Sequence, residues 1–147
     1  VASQGRPTAR RRWGPFPTTA DVGIWARASD PEGLFEALGL GLTALAVDLR
    51  TLRAHELQTL RVSSSDLPGL TVSFLSELIV RQQVDGFFAR RIEVRFAPSP
   101  AWAIDARLYG ERFDPDRHTL RIEVKAVTFH RLTIDLQRPR ARVIVDI

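Results

Sequence analysis

Two aspartates mark opposite ends of the sequence, and each falls where a strand-like run begins or stops. Asp21 opens Asp21-Val22-Gly23-Ile24-Trp25-Ala26, and Asp146 closes Arg142-Val143-Ile144-Val145-Asp146, one residue before Ile147. An aspartate at a strand end is commonly a solvated residue or a turn former, and spacing alone favours that reading. The chemistry changes if the first and last strands end side by side. Asp21, Asp146 and the free carboxylate of Ile147 then converge as hard oxygen ligands, and three neighbouring anions require a cation.

Other chemistries find less support in the residue types and spacings. There is no Ser-centred nucleophile elbow, no His-x-x-x-His pair and no phosphate-binding loop. His55, His118 and His130 are far apart, and His130 falls in a tight connection between two predicted strands. Asp114 and Asp116 match part of a calcium loop, but the glycine and distal glutamate are missing, so they read as a turn. Gly39-Leu40-Gly41-Leu42-Thr43-Ala44 matches a dinucleotide fingerprint, yet it falls in the second half of a predicted helix. The fingerprint works only between a strand and a helix N-terminus, so these small residues are expected to allow close packing instead. Lys125 is the one lysine beside twenty arginines. Alternation over Ile122–Val127 puts it on a strand face with Glu123 and Val127, where an exposed ion pair is the ordinary reading.

The elements that must position these groups follow from periodicity. Val1–Pro17 carries Gly, three Pro and the arginines with little pattern and reads as a flexible lead-in. Asp21–Ala28 is the first predicted strand. Asp30-Pro31-Glu32 starts a helix, with Leu34, Leu38, Leu42 and Leu45 on one face, ending near Val47 or Asp48. A strand over Leu52–Ser64 leads to a second helix, capped near Asp66 and ending near Gln83. Strands follow over Phe87–Phe96, Trp102–Tyr109, Leu120–Phe129, Leu132–Leu136 and Ala141–Ile147, with turns at Gly110-Glu111 and His130-Arg131 among others. The order predicts an α+β fold with two helices on a mostly antiparallel sheet.

Composition narrows the class. No apolar run is long enough to span a bilayer, and no hydrophobic signal region follows the N-terminal arginines, so a cytoplasmic protein is expected. Without cysteine there is neither a disulfide framework nor a thiolate zinc site. The net charge of +4 equals the sum of Arg6, Arg10, Arg11 and Arg12, which leaves Trp13–Ile147 formally neutral. Residues 1–15 therefore read as a flexible basic tail able to touch RNA phosphates or an acidic surface, and residues 16–147 as a single domain.

The ordered set Thr19-Ala20-Asp21-Val22-Gly23-Ile24, Gly110-Glu111, Phe113-Asp114-Pro115, Glu123–His130 and Arg142–Ile147 resembles the archease family. One departure stands out: the family reads His-Thr-Ala-Asp, and Thr18 occupies the place of that histidine. The resemblance implies two nested strand-helix-strand-strand modules. It further implies an accessory protein that assists an RtcB-type RNA ligase, promoting its guanylylation and turnover in tRNA splicing or RNA repair. Asp21, Asp146 and Ile147 would then bind Ca²⁺, or else Mg²⁺ or Mn²⁺, while Lys125, Glu111 and His130 would serve partner activation. Two readings compete. One is a metal-dependent phosphoryl-transfer or hydrolytic enzyme built on the same carboxylates, which lacks a recognisable base, nucleophile or phosphate clamp. The other is a simple RNA-binding module using the arginine tail; against it, the body is neutral and its aromatics are not interleaved with a basic stripe.

Overall fold

The computed structural model describes residues 10–19, 21–98 and 100–147. Seven strands and two helices run in the order β1 (Arg11–Pro17), β2 (Val22–Ala28), α1 (Pro31–Ala46), β3 (Glu56–Ser64), α2 (Leu67–Val80), β4 (Phe87–Ala97), β5 (Trp102–Arg112), β6 (Ala126–Asp135) and β7 (Arg140–Asp146). A first sheet has the order β1-β2-β7-β6 and a second the order β3-β5-β4, antiparallel throughout. β3-α2-β4-β5 is thus inserted between α1 and β6 of a β2-α1-β6-β7 unit, the nested arrangement expected.

Both helices start where local chemistry dictates. Asp30 accepts the Gly33 N–H at 2.6 Å and Asp66 the Gly69 N–H at 2.7 Å, each with proline in the first turn. Such a cap is worth about 1 kcal/mol. Residues 33–43 of α1 are buried without interruption, the signature of a helix covered on all sides. It packs on β1 and β2 of one sheet and on β4 of the other, while α2 packs on β3 and β6. The helices form a middle layer between the sheets, joined through Phe35 and Phe74 at 6.1 Å, edge to face.

The Gly39–Ala44 fingerprint has a packing role. A Cβ on Gly39 would lie 2.6 Å from Ile92 Cδ1 of β4, and one on Gly41 would lie 2.9 Å from Ile24 Cγ2 of β2. The two glycines face opposite sheets. Glu36 bridges the same layers: it accepts from Arg11 of β1 at 3.0 Å and from the Val94 N–H of β4 at 2.9 Å. Glu32, one turn earlier, takes the Phe96 N–H at 3.2 Å. These carboxylates satisfy backbone donors along the outer edge of β4, an edge that would otherwise invite pairing with another chain.

Four sequence expectations need correction. The flexible tail does not extend through residue 15: Arg11–Pro17 is an edge strand paired with β2, and Trp13 packs against the core. Its prolines are tolerated because an edge strand leaves one side of its backbone unpaired. Residues 1–9 lie outside the described residues. Gly110-Glu111 is not a turn but lies inside β5; a Cβ on Gly110 would come 2.0 Å from the Phe88 carbonyl, beside the bulge at Ala89/Arg91. Residues 119–125 form no strand. Val124 is buried and Ile122 partly so, which yields a strand-like alternation, yet in place of a ladder the backbone has separate bonds, among them Arg121 N–H to Ala46 O (2.7 Å), Lys125 N–H to Asp146 O (2.8 Å) and the Gln83 amide donating to Val124 O (3.0 Å). His130-Arg131 is not a hairpin but a bulge within β6, where five steps from Thr128 to Thr133 oppose two from Ile144 to Arg142. Arg131 absorbs the irregularity with φ of 57°.

Candidate functional site

β2 and β7 are neighbours, and their final pair at one end is Val22–Val145. Asp21 and Asp146 are each the next residue outward, so the register carries both to the same end of one strand pair. On its other side Asp146 pairs with Ala126, and its carbonyl receives the Lys125 N–H. The backbone of Lys125 is thereby fixed beside the strand-end acids, although it precedes β6 rather than lying in it. Asp146 and Lys125 are exposed and Asp21 is partly buried.

Thr18 shapes the approach to Asp21. Its hydroxyl donates to the Asp21 carbonyl at 2.6 Å and accepts the Asp21 N–H at 2.9 Å. The residue standing at the family's histidine position thus closes the turn that presents Asp21.

The two carboxylates carried to this end, Asp21 and Asp146, offer the oxygen chemistry that a hard divalent cation takes. Among the described residues no three His, Cys, Asp or Glu side chains gather as a metal cluster. Any cation here would draw its remaining ligands from water or from a partner.

The other two candidates are not joined to this end by register. His130 is exposed in the β6 bulge, and Glu111 belongs to the second sheet. Glu111 is only 3% exposed and anchors a buried network. Its carboxylate pairs with the Arg117 guanidinium, accepts the Arg53 N–H at 2.6 Å and lies 3.2 Å from His118 Nε2. His118 Nδ1 accepts the Asp114 N–H at 2.9 Å, which places the imidazole proton on Nε2, toward Glu111 and the Thr51 carbonyl. Burial pushes the Glu111 carboxyl up. The bonds from Arg117 and Arg53, with the charge of Arg117, outweigh burial and hold it below its ordinary range. The network ties the segment after α1 to the turn after β5. His118 and Arg117 were missed in the sequence; their three- and four-residue spacing from Asp114 signalled only the turn they also form.

The expected lack of a basic stripe interleaved with aromatics is corrected by the fold. On the side of the first sheet facing away from the helices, alternation gathers Arg12, Arg27, Arg140 and Arg142 around Phe16 and Trp25. No helix among the described residues is long and apolar enough to cross a membrane.

The Archease protein family model matches residues 13–147, nearly the whole chain. The archease of Pyrococcus abyssi is 32% identical over 126 residues, covering 85% of this chain and 89% of that protein. That of Thermococcus gammatolerans is 35% identical with the same coverage, and that of Methanopyrus kandleri is 30% identical over 92% of this chain and 99% of that protein. The solution structure of Methanobacterium thermoautotrophicum protein 1598 superposes with a TM-score of 0.74 at 28% identity, covering 92% of this chain and 98% of that one. Sequence and fold agree that the chain belongs to the archease family.

Proposed function

We propose that this protein is an accessory factor of an RtcB-type RNA ligase, promoting guanylylation of the ligase and its multiple turnover in tRNA splicing or RNA repair. Family membership supports an accessory role. The observation that carries the reading is the shared strand end, where the Val22–Val145 pair delivers Asp21 and Asp146 together with the backbone of Lys125. Asp21, Asp146 and the main-chain oxygens of Ile147 would hold Ca²⁺, with Mg²⁺ and Mn²⁺ as alternatives of the same hard-oxygen chemistry. When bound, the cation would supply charge neutralisation between carboxylates that otherwise repel.

The residues of the chain divide the remaining work. Thr18 holds the Asp21 turn, Lys125 offers a point charge beside the acids, and exposed His130 contributes to the partner contact. Glu111, buried under Arg117 and His118, acts by positioning the segments it joins. The test is multiple-turnover ligation with ligase limiting and RNA ends in excess. Addition of this protein should raise turnover, Asp21→Asn and Asp146→Asn should each abolish most of the gain, and both variants should stay folded. Unchanged activation by both variants refutes the assignment.

A further inference from the structure

The outer face of the first sheet carries a pattern that the accessory role does not explain. Two aromatic rings lie across glycines of the adjacent strand. A Cβ on Gly14 would meet three Trp25 ring atoms at 2.7–2.9 Å, and one on Gly23 would meet three Phe16 ring atoms at 2.1–2.4 Å. The register pairs Gly14 with Trp25 and Phe16 with Gly23, so each ring covers a backbone position without a side chain. Guanidinium groups stand over both rings: Arg27 is 5.1 Å from the Trp25 centroid and Arg142 4.1 Å from that of Phe16.

The arginines themselves are arranged at a cost. Arg12 is directly opposite Arg27, and Arg27 directly opposite Arg140, a row of like charge across three strands. Like charges directly opposite are destabilising in a sheet. Among the described residues no carboxylate forms an ion pair with Arg12, Arg27, Arg140 or Arg142. The acid nearest in register, Asp135 opposite Arg140, accepts the N–H groups of Gln137 and Arg138 in the β6–β7 turn. A groove of about 620 Å³ opens on this face, lined by Trp25, Arg27, Thr133, Asp135, Arg140 and Arg142 among others. That volume is within the roughly 300–1,000 Å³ of small-molecule sites.

We propose that this face binds a short single-stranded polynucleotide, with Arg12, Arg27, Arg140 and Arg142 on its phosphates and bases stacked on Trp25 and Phe16. Flat aromatic platforms among unpaired arginines are what a sequence-tolerant single-strand site requires, because every base has a π-face and every nucleotide a phosphate. An acidic peptide would use the charge but has no need of the two half-buried rings. The opposite end of the same strand pair carries Asp21 and Asp146, about six residues or roughly 20 Å from the Arg27–Arg140 pair, so the acids do not cancel the basic end.

The test uses the full chain and fluorescein-labelled oligouridine and oligothymidine of about ten nucleotides, followed by anisotropy between about 50 and 200 mM salt. Binding of either oligomer is expected, with log K falling against log salt at a slope near −3 if all four arginines engage. Preference between the two distinguishes RNA from DNA as the source. Trp25→Ala should weaken binding roughly 5- to 150-fold, the measured range for one stacked base. Arg140→Gln, which leaves the rings in place, should flatten the salt slope by about 0.7 and serves if Trp25→Ala disturbs folding. Arg6→Gln, in the N-terminal segment, should leave binding intact. The proposal is overturned by no binding at low salt, by binding that both sheet variants retain, or by unlabelled duplex or polyglutamate displacing the oligomers as well as unlabelled single strands do.

Discussion

Replacing Glu111 by alanine is expected to destabilise the protein far more than an exposed ion pair would suggest. Glu111 is buried, and its removal strands the Arg53 N–H, whose bond to the carboxylate is 2.6 Å long. A hydrogen bond to a charged group contributes about 1.5–3 kcal/mol. Two partners soften the loss: His118 Nε2 keeps the Thr51 carbonyl at 3.2 Å, and Arg117 keeps Asp114 at 3.3 Å. A cavity beneath them adds to the cost, giving a total of about 2–4 kcal/mol. Glu111→Gln retains an acceptor and should lose only about 1–2 kcal/mol. Urea denaturation with unchanged m-value reads both numbers. The pH dependence gives the sign independently. The Glu111 carboxyl is depressed from its ordinary 4.5, so its charge adds stability above that value, and the addition is lost as pH falls below 4.5 through the lower folded value. The gap between wild type and Glu111→Gln should therefore close in acid. An alanine variant that loses less than about 1 kcal/mol, or a gap that persists in acid, refutes the reasoning.

Three further perturbations probe other parts of the account. Trp13→Ala should lower stability by about 2 kcal/mol, because β1 is part of the folded sheet; an unchanged melting temperature would return Arg11–Pro17 to the tail. Gly39→Val should cost about 1–3 kcal/mol by driving a side chain into Ile92 and Leu78, measured by the same denaturation. Lys125→Ala should change stability by no more than about 1 kcal/mol while reducing ligase turnover; normal turnover would remove Lys125 from the partner contact.

Helix starts were the most legible features, since Asp30-Pro31-Glu32 and Asp66 followed by Pro68 act through bonds only three residues long. The order of elements showed two helices on antiparallel strands, while the nesting of the modules followed from the family resemblance. What failed depends on distant partners. β1 was hidden because its prolines and arginines read as linker, and only pairing with β2 makes them a strand. Residues 119–125 alternate like a strand because burial of Val124 imposes the period, while no neighbouring strand supplies a ladder. Glu111 read as a turn because Gly110 suggested one; the glycine is there instead for the close backbone of Phe88. At the strand end, the meeting of Asp21 and Asp146 was inferable only by assuming that the first and last strands adjoin, as β2 and β7 do. The arginine row on the outer face was invisible for the same reason, since Arg12 and Arg140 are joined only through the registers of three strands.

The most direct measurement of the central claim is guanylylation of an RtcB-type ligase by labelled GTP with a divalent metal, followed as label covalently retained on the ligase. With this protein present, the rate or extent of labelling should rise, and the Asp21→Asn/Asp146→Asn double variant, folded and at equal concentration, should not raise it. Labelling that is unaffected by the protein, or raised equally by the double variant, would contradict the account.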